Sequence, residues 1–415
     1  MTWADPVTAF RDIAAGHERM FWLDGGGSRD WSGRRSILGW LEDDDVSLAY
    51  DAARREVWEV RGGDRRLVGD DIFTVLAEEV ARDGGDSEVS WVGWFGYACR
   101  PDLPATTGGG VPDAVWMRSQ RRLVFDHEPR PTGRAPERAP APTTAGSTAV
   151  SRSSYDGWFV RVQEQLRLGN TYEVNLTYRE SVPSKVAPAD AYLRLREVNP
   201  APYAAYLQHE GVSVLSSSPE RFATIDRRRW VETKPIKGTT PRGATAQEDE
   251  AHRAALRSDP RYRAENLMIV DLLRNDLSMV CEPGTVTVPV LMEVESYSNV
   301  HQLVSTVRGH LRDGVGTVEA LRALFPAGSM TGAPKLRTME VIADVETTPR
   351  GVYSGALGWI GGDGRADLGV VIRTLVAHDG VYTLGTGGGI TVRSDAESEY
   401  DETRWKAARL LEALR

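Results

Sequence analysis

Lysine is scarce in this chain. Only Lys185, Lys234, Lys237, Lys335 and Lys406 appear among 50 basic residues, and the rest are arginine. Arginine keeps its charge and is a poor nucleophile, whereas an amine that loses its proton can attack carbon. A lysine retained against such a background marks a position where arginine does not serve. Four of the five fall in dense motifs of the C-terminal half. Random loss of lysine under codon bias is the competing explanation. Cysteine is scarcer still. Cys99 and Cys281 are too few for a disulfide framework or a cysteine-rich metal site, and a cytoplasmic setting is expected. No apolar run is long enough to span a bilayer, so no membrane partner is expected. The first residues show no basic stretch followed by an apolar one, so no secretory signal is expected. Excess positive charge is missing too. A net charge of −9 argues against a nucleic-acid partner.

What is present points to a globular α+β protein. The 415 residues suffice for one large domain or two ordinary ones. Residues 127–150 are rich in Pro, Ala, Gly and Arg without apolar period, and read as a flexible linker or long loop. They separate a Trp-rich part, residues 1–126, from a longer part, residues 151–415. The tryptophans follow no repeat and read as core filler. Short apolar runs predict strands at residues 47–50, 89–97, 172–178, 204–207, 212–216, 222–225, 286–290, 355–360, 369–376 and 381–385. Amphipathic spacing and capping residues predict helices over 154–168, 187–197, 260–277, 317–324, 335–344 and 396–414. Strands and helices do not alternate strictly, which favours a layered α+β sandwich over a doubly wound parallel sheet.

Several groups carry chemistry. Ser258-Asp259-Pro260 opens a helix that is apolar nearly all round and expected to lie buried between layers. Glu265 shares a face with Met268, Ile269 and Leu272. A buried carboxylate there needs a cation or a metal, or else it is a first-turn acid favoured by the helix dipole. Glu399 and Glu402 lie three apart on the last helix, and Lys406 follows one turn on. Three carboxylates from two helices suit Mg²⁺, although acids at a solvated helix start are common. Two glycine-rich stretches, Gly385-Thr386-Gly387-Gly388-Gly389 and Gly328-Ser329-Met330-Thr331-Gly332, offer backbone N–H groups to an anion. Neither has P-loop spacing. Arg373 closes an apolar run and is either a carboxylate clamp or a surface residue. His301, beside another apolar run, is either structural or catalytic.

Together these segments resemble the chorismate-utilising enzymes, in their aminodeoxychorismate-forming branch. The resemblance is strong from Tyr155 to Arg415. It rests on Tyr172-Glu173-Val174-Asn175-Leu176-Thr177, Ser217-Ser218-Pro219-Glu220-Arg221-Phe222, Pro235-Ile236-Lys237-Gly238-Thr239, Ala264-Glu265-Asn266-Leu267-Met268-Ile269-Val270-Asp271, Thr331-Gly332-Ala333-Pro334-Lys335 and Ser398-Glu399-Tyr400-Asp401-Glu402-Thr403. It implies an α/β/β/α sandwich with antiparallel-rich sheets, of which residues 1–126 form the less regular half. Lysine at position 237 marks this branch, where anthranilate- and isochorismate-forming relatives usually carry Ala. By resemblance its amine attacks C2 of chorismate and displaces the C4 hydroxyl. Ammonia then enters at C4 and expels the lysine. Glu220 is implied as the acid that moves protons, with His301 beside C4. Gly238 and Thr239 are implied as partners of the ring carboxylate, and Tyr353, Arg373, Gly387 and Gly388 as the enolpyruvyl carboxylate site, with Ser329 nearby. Glu265, Glu399 and Glu402 are implied as Mg²⁺ ligands. Glu173 stands where water-activating relatives place a Lys, which argues against isochorismate formation. Tyr262 replaces an acid found in many relatives, so the metal shell depends more on water.

No Gly-flanked glutaminase Cys is present. The resemblance therefore implies a separate glutamine amidotransferase subunit as ammonia source, and folate or secondary metabolism as destination. An anthranilate synthase component, releasing pyruvate itself, is the competing enzyme. A non-catalytic paralogue that binds a partner or an aromatic ligand is the competing non-enzyme.

Overall fold

A computed structural model describes residues 5–25, 35–83, 85, 89–127, 148–297 and 300–415. Most of the expected linker, and Asn299 beside His301, lie outside the described residues.

Two sheets face each other, and helices cover both outer faces. Among the described residues, one has nine strands. In spatial order its middle runs Glu173–Pro183, Val381–Ile390, Thr374–His378, Val212–Ser218, Tyr203–His209, Arg19–Asp24 and Arg35–Trp40. The other has twelve, and includes Ile236–Pro241, Val300–His310, Arg221–Ile225, Ala366–Val370, Ala356–Ile360, Trp91–Phe95 and Ala114–Arg118. Every strand pairing among the described residues is antiparallel. The expected α+β sandwich is the observed fold. No helix among the described residues is long and apolar enough to cross a membrane.

Alternation along each strand builds the layers. Phe21, Leu207 and Val214 of the first sheet meet Val92, Trp94, Val115 and Leu357 of the second in a core between the sheets. One residue on, Trp22 turns to the opposite face and packs with Phe10, Tyr192 and Leu410 under the helices Pro6–Gly16, Pro188–Val198 and Ala396–Glu412. On the far side, Trp91, Phe95 and Trp116 pack with Phe73, Ile269, Leu273 and Leu321. The tryptophans Trp22, Trp91, Trp94 and Trp116 are fully buried, as core filler should be.

The strands Trp91–Phe95 and Arg19–Asp24 are interior members of their sheets, each hydrogen-bonded to a strand from the C-terminal part. Residues on both sides of the expected linker thus share both sheets.

Two expectations differ from what is observed, and the helices Pro6–Gly16, Ile72–Arg82 and Ala246–Ser258 were not expected. The apolar run 369–376 is not one strand: Ala366–Val370 belongs to the twelve-stranded sheet and Thr374–His378 to the nine-stranded one. Arg373 sits at the switch in the left-handed region, φ 50°. Continuous hydrophobicity hid the crossing, because both halves are buried. The helix Ala246–Ser258 escaped notice because it is charged and buries only Leu256. The helix Pro260–Ser278 does lie against the second sheet, but Leu267 is 48% exposed, so one flank stays in solvent.

Candidate active site

A cavity of about 350 Å³ opens between Gly385–Gly389 of one sheet and Ile236–Thr239 of the other. The helices Pro260–Ser278 and Ala396–Glu412 and the turn Gly328–Met330 complete its wall. Of the residues singled out from sequence, Lys237, Glu220, Gly238, Thr239, Ser329, Tyr353, Arg373, Gly387, Gly388, Glu265, Glu399 and Glu402 all line this one cavity. His301 is not among the lining residues; its neighbour Gln302 is. The His301 ring is buried, with Nδ1 2.7 Å from Ser296 Oγ and Nε2 3.1 Å from Asp249 Oδ1. The strand's alternation aims it away from the cavity.

The backbone explains several of these positions. Gly238 has φ 90°, and a Cβ there would crowd the Tyr262 ring. Gly389 lies against Glu173 and Lys237, where a Cβ would collide with the Glu173 carboxylate. Arg373 owes its aim to the break between the sheets. Its guanidinium stacks 5.4 Å over Trp405, another lining residue, and burial holds its pKa below the usual arginine range.

Lys237 is 9% exposed and donates a hydrogen bond to Glu173 Oε1. Burial alone would pull the ammonium down. The carboxylates of Glu173, Glu265 and Glu220 outweigh it and hold the group above its ordinary value. The resting lysine is therefore an ion-paired ammonium rather than a free amine. Glu220 differs. Burial pushes its carboxyl up to about 7, against the Ser329 hydroxyl and Lys237, which favour the anion. Near neutral pH it exchanges between its neutral and ionised forms, and the neutral form has a proton to give away.

The three proposed metal ligands face the cavity from two helices, but cations already engage them. Arg261 bridges Glu265 (Nε to Oε1, 3.0 Å) and Glu399 (NH2 to Oε1, 2.6 Å). Lys406 pairs with Glu402 at 2.6 Å and donates to the Gly387 carbonyl at 2.8 Å. Among the described residues no group of three or more His, Cys, Asp or Glu is gathered closely enough to hold a metal ion. The donor chemistry nonetheless fits Mg²⁺, being carboxylate oxygen only, and burial raises both Glu265 and Glu399 above the usual range. Arg261 supplies the charge that a cation would carry.

Sequence reasoning overlooked Glu173 as the partner of Lys237 and Arg261 as the partner of two carboxylates. Glu173 was legible only as a departure from a family pattern. Arg261 was hidden among 45 arginines. Neither cysteine is an activated thiol: both are buried, and burial pushes Cys281 up to about 11 and Cys99 well above its ordinary value.

Comparison with known proteins shows the family. Residues 39–412 match the family described as chorismate binding enzyme. The chain is 42% identical to the aminodeoxychorismate synthase of Streptomyces pristinaespiralis, an alignment covering 99% of this chain and 64% of that protein. It thus spans less than two thirds of that relative's length. It is 38% identical to anthranilate synthase component 1 of Streptomyces coelicolor, over 78% of this chain and 72% of the relative. Among solved structures it is similar to anthranilate synthase component I of Streptococcus pneumoniae, with TM-score 0.77 and 27% identity, covering 91% of this chain and 92% of that one.

Proposed function

The chain belongs to the chorismate binding enzymes, and from that premise we propose that it aminates chorismate at C4 to give 4-amino-4-deoxychorismate. One observation carries the reading: the lining holds two lysines, Lys406 and Lys237, and Lys237 stands beside Glu220, a carboxyl that burial pushes up to about 7. A nucleophilic amine paired with a general acid is what displacement of a hydroxyl requires.

The steps follow from the side chains. Arg373, Tyr353 and the Gly387–Gly388 backbone receive one substrate carboxylate, and Gly238 and Thr239 the other. Lys237 Nζ, once neutral, forms a bond to ring C2. The C4–O bond breaks, and Glu220 gives its proton to the departing hydroxyl, which leaves as water. Ammonia adds at C4, and the C2–N bond breaks with its electron pair returning to Nζ. Proton return from the new C4 ammonium restores Glu220. The temporary covalent bond divides one difficult substitution into two easier ones. Glu265, Glu399 and Glu402 would hold Mg²⁺ once Arg261 releases the first two. A bound Mg²⁺ supplies charge that neutralises the ring carboxylate.

The ammonia comes from a separate glutamine amidotransferase. The buried, unactivated cysteines support this. The test supplies chorismate, Mg²⁺ and ammonium at pH 7.5 and identifies the product. 4-Amino-4-deoxychorismate without pyruvate is expected. Anthranilate with pyruvate overturns the reading in favour of the anthranilate branch, and no turnover favours a non-catalytic paralogue.

A further inference from the structure

Glu173 lies behind the cavity wall, with its carboxylate against the lining residues Lys237 and Gly389. It is 1% exposed, on the strand Glu173–Pro183. Its Oε1 accepts from Lys237 Nζ, while its Oε2 is buried and has no hydrogen-bond partner. A buried anion with one lone-pair face unused is costly unless that face has work in some other state of the site. The strand around it makes room for it. Gly389, on the neighbouring strand, packs directly against Oε1 and leaves space that a Cβ would fill.

The site sets a specific problem. Lys237 must be neutral to attack, yet Glu173 from one sheet and Glu265 from the helix Pro260–Ser278 favour its ammonium, as does Glu220 whenever it is ionised. A substrate bearing two carboxylates adds to that bias and covers the opening. The proton therefore needs an acceptor inside the wall. Glu220 is the wrong one, because it must arrive protonated to release the hydroxyl.

We propose that Glu173 is a catalytic residue that takes the Lys237 proton within the covered site and returns it at the end of the cycle. This rests on the proposed amination. The ion pair Lys237–NH₃⁺ and Glu173–COO⁻ becomes Lys237–NH₂ and Glu173–COOH, with Oε1 or the vacant Oε2 carrying the proton. The neutral amine forms the C2–N bond, and nitrogen becomes a secondary ammonium. Glu220 protonates the leaving hydroxyl. When ammonia has entered at C4, nitrogen leaves C2 as a neutral amine and recovers its proton from Glu173. Glu220 recovers its own from the C4 ammonium. No proton crosses to solvent during the attack.

Two measurements test this, and only the second depends on the proposed reaction. The first is substrate-free. Lys237 is labelled with trinitrobenzenesulfonate across pH 7–10 and mapped by peptide mass spectrometry, with the other four lysines as internal references. Glu173→Gln removes the nearest anion, so labelling of Lys237 at pH 7.5 should speed up at least about tenfold. Unchanged labelling overturns the proposal. The second is steady-state turnover of chorismate with ammonium. Glu173→Gln keeps a hydrogen-bond acceptor for the ammonium but cannot take its proton. Its kcat should fall about 100-fold at pH 7.5, and kcat/KM should climb with pH as Lys237 loses its proton before substrate binds. A Gln variant that keeps wild-type kcat while only Glu173→Ala loses it reduces Glu173 to a positioning residue and overturns the proposal. Wild type releasing anthranilate sinks the proposed function, and the labelling result still decides whether Glu173 controls the Lys237 proton.

Discussion

Lys237 carries its charge into a place where burial alone would strip it, and three carboxylates keep it there. Guanidinium in its place would satisfy the same anions without a usable lone pair. Lys237→Arg should therefore lose activity as fully as Lys237→Ala, by about 1,000-fold or more, while near-ultraviolet circular dichroism stays native. An arginine variant within tenfold of wild type would refute the covalent role. Glu220 makes a second prediction, about pH. Its folded pKa of about 7 lies above the ordinary carboxylate value. The neutral form is favoured, so its contribution to stability is complete below about pH 4.5 and is lost as pH rises through 7. The loss is up to ~3 kcal/mol by linkage. Glu220→Gln should flatten the pH dependence of stability between pH 5 and 8 and be more stable than wild type at pH 8 in urea titrations. Its turnover should fall at least about 100-fold, because the acid is gone. A variant whose stability falls with pH as wild type does would remove Glu220 as the buried titrating group.

At the scale of elements, the strand Val381–Ile390 places three consecutive glycines at the cavity, and each answers to a different neighbour. A Cβ at Gly387 would run into the Leu176 carbonyl and the Thr177 backbone of the paired strand. One at Gly388 would meet the Glu399 carboxylate at 3.2 Å and Lys406 Nζ at 3.8 Å, and one at Gly389 would displace the Glu173 carboxylate. Gly387→Ala should therefore cost stability, by about 2 kcal/mol or more. Gly388→Ala and Gly389→Ala should keep the melting temperature and lose turnover. Equal melting temperatures for all three would contradict this packing. Helix to helix, Lys335 Nζ meets Asp276 Oδ2 at 2.7 Å, joining the helices Lys335–Val345 and Pro260–Ser278. Burial drives the Asp276 carboxyl up and the Lys335 ammonium down, although each partner opposes the shift. Lys335→Met would strand a buried carboxylate and should cost about 3–5 kcal/mol. Adding Asp276→Asn should restore much of that in denaturant titrations. No restoration would mean that Lys335 acts through its bond to the Leu324 carbonyl, at 2.9 Å, instead.

The molecule as a whole is one sandwich threaded by both parts of the chain. Residues 151–415 expressed alone would bare the edges of Tyr203–His209 and Ala356–Ile360, with the apolar faces that Phe21, Trp94 and Trp116 now cover. That fragment should aggregate or stay expanded in gel filtration, and co-expression with residues 1–126 should recover a compact complex. A monomeric, cooperatively folding fragment would contradict the shared sheets. Much of the site was legible in the sequence because its chemistry needs scarce residue types at fixed spacings. A lysine in an arginine-rich chain, a Glu after Ser-Ser-Pro, acids three apart on a capped helix and a run of glycines each stand out locally. What local pattern could not reveal was pairing across layers. The Gly369–Val376 stretch reads as one buried strand, because hydrophobicity does not record which sheet covers it. Only the crossing at Arg373 shows why that arginine faces the cavity. Likewise, the family resemblance implied His301 near the reacting carbon, and strand alternation turned its ring toward Ser296 and Asp249. The sequence by itself determined the layered fold class, which follows from side-chain chemistry and short-range period, and through the family resemblance it pointed to the candidate nucleophile. The tertiary structure alone decided the ionisation of that nucleophile. Burial and opposing charge act through space, and Glu173, Glu220 and Glu265 come from separate elements that only the packed sheets bring to one nitrogen.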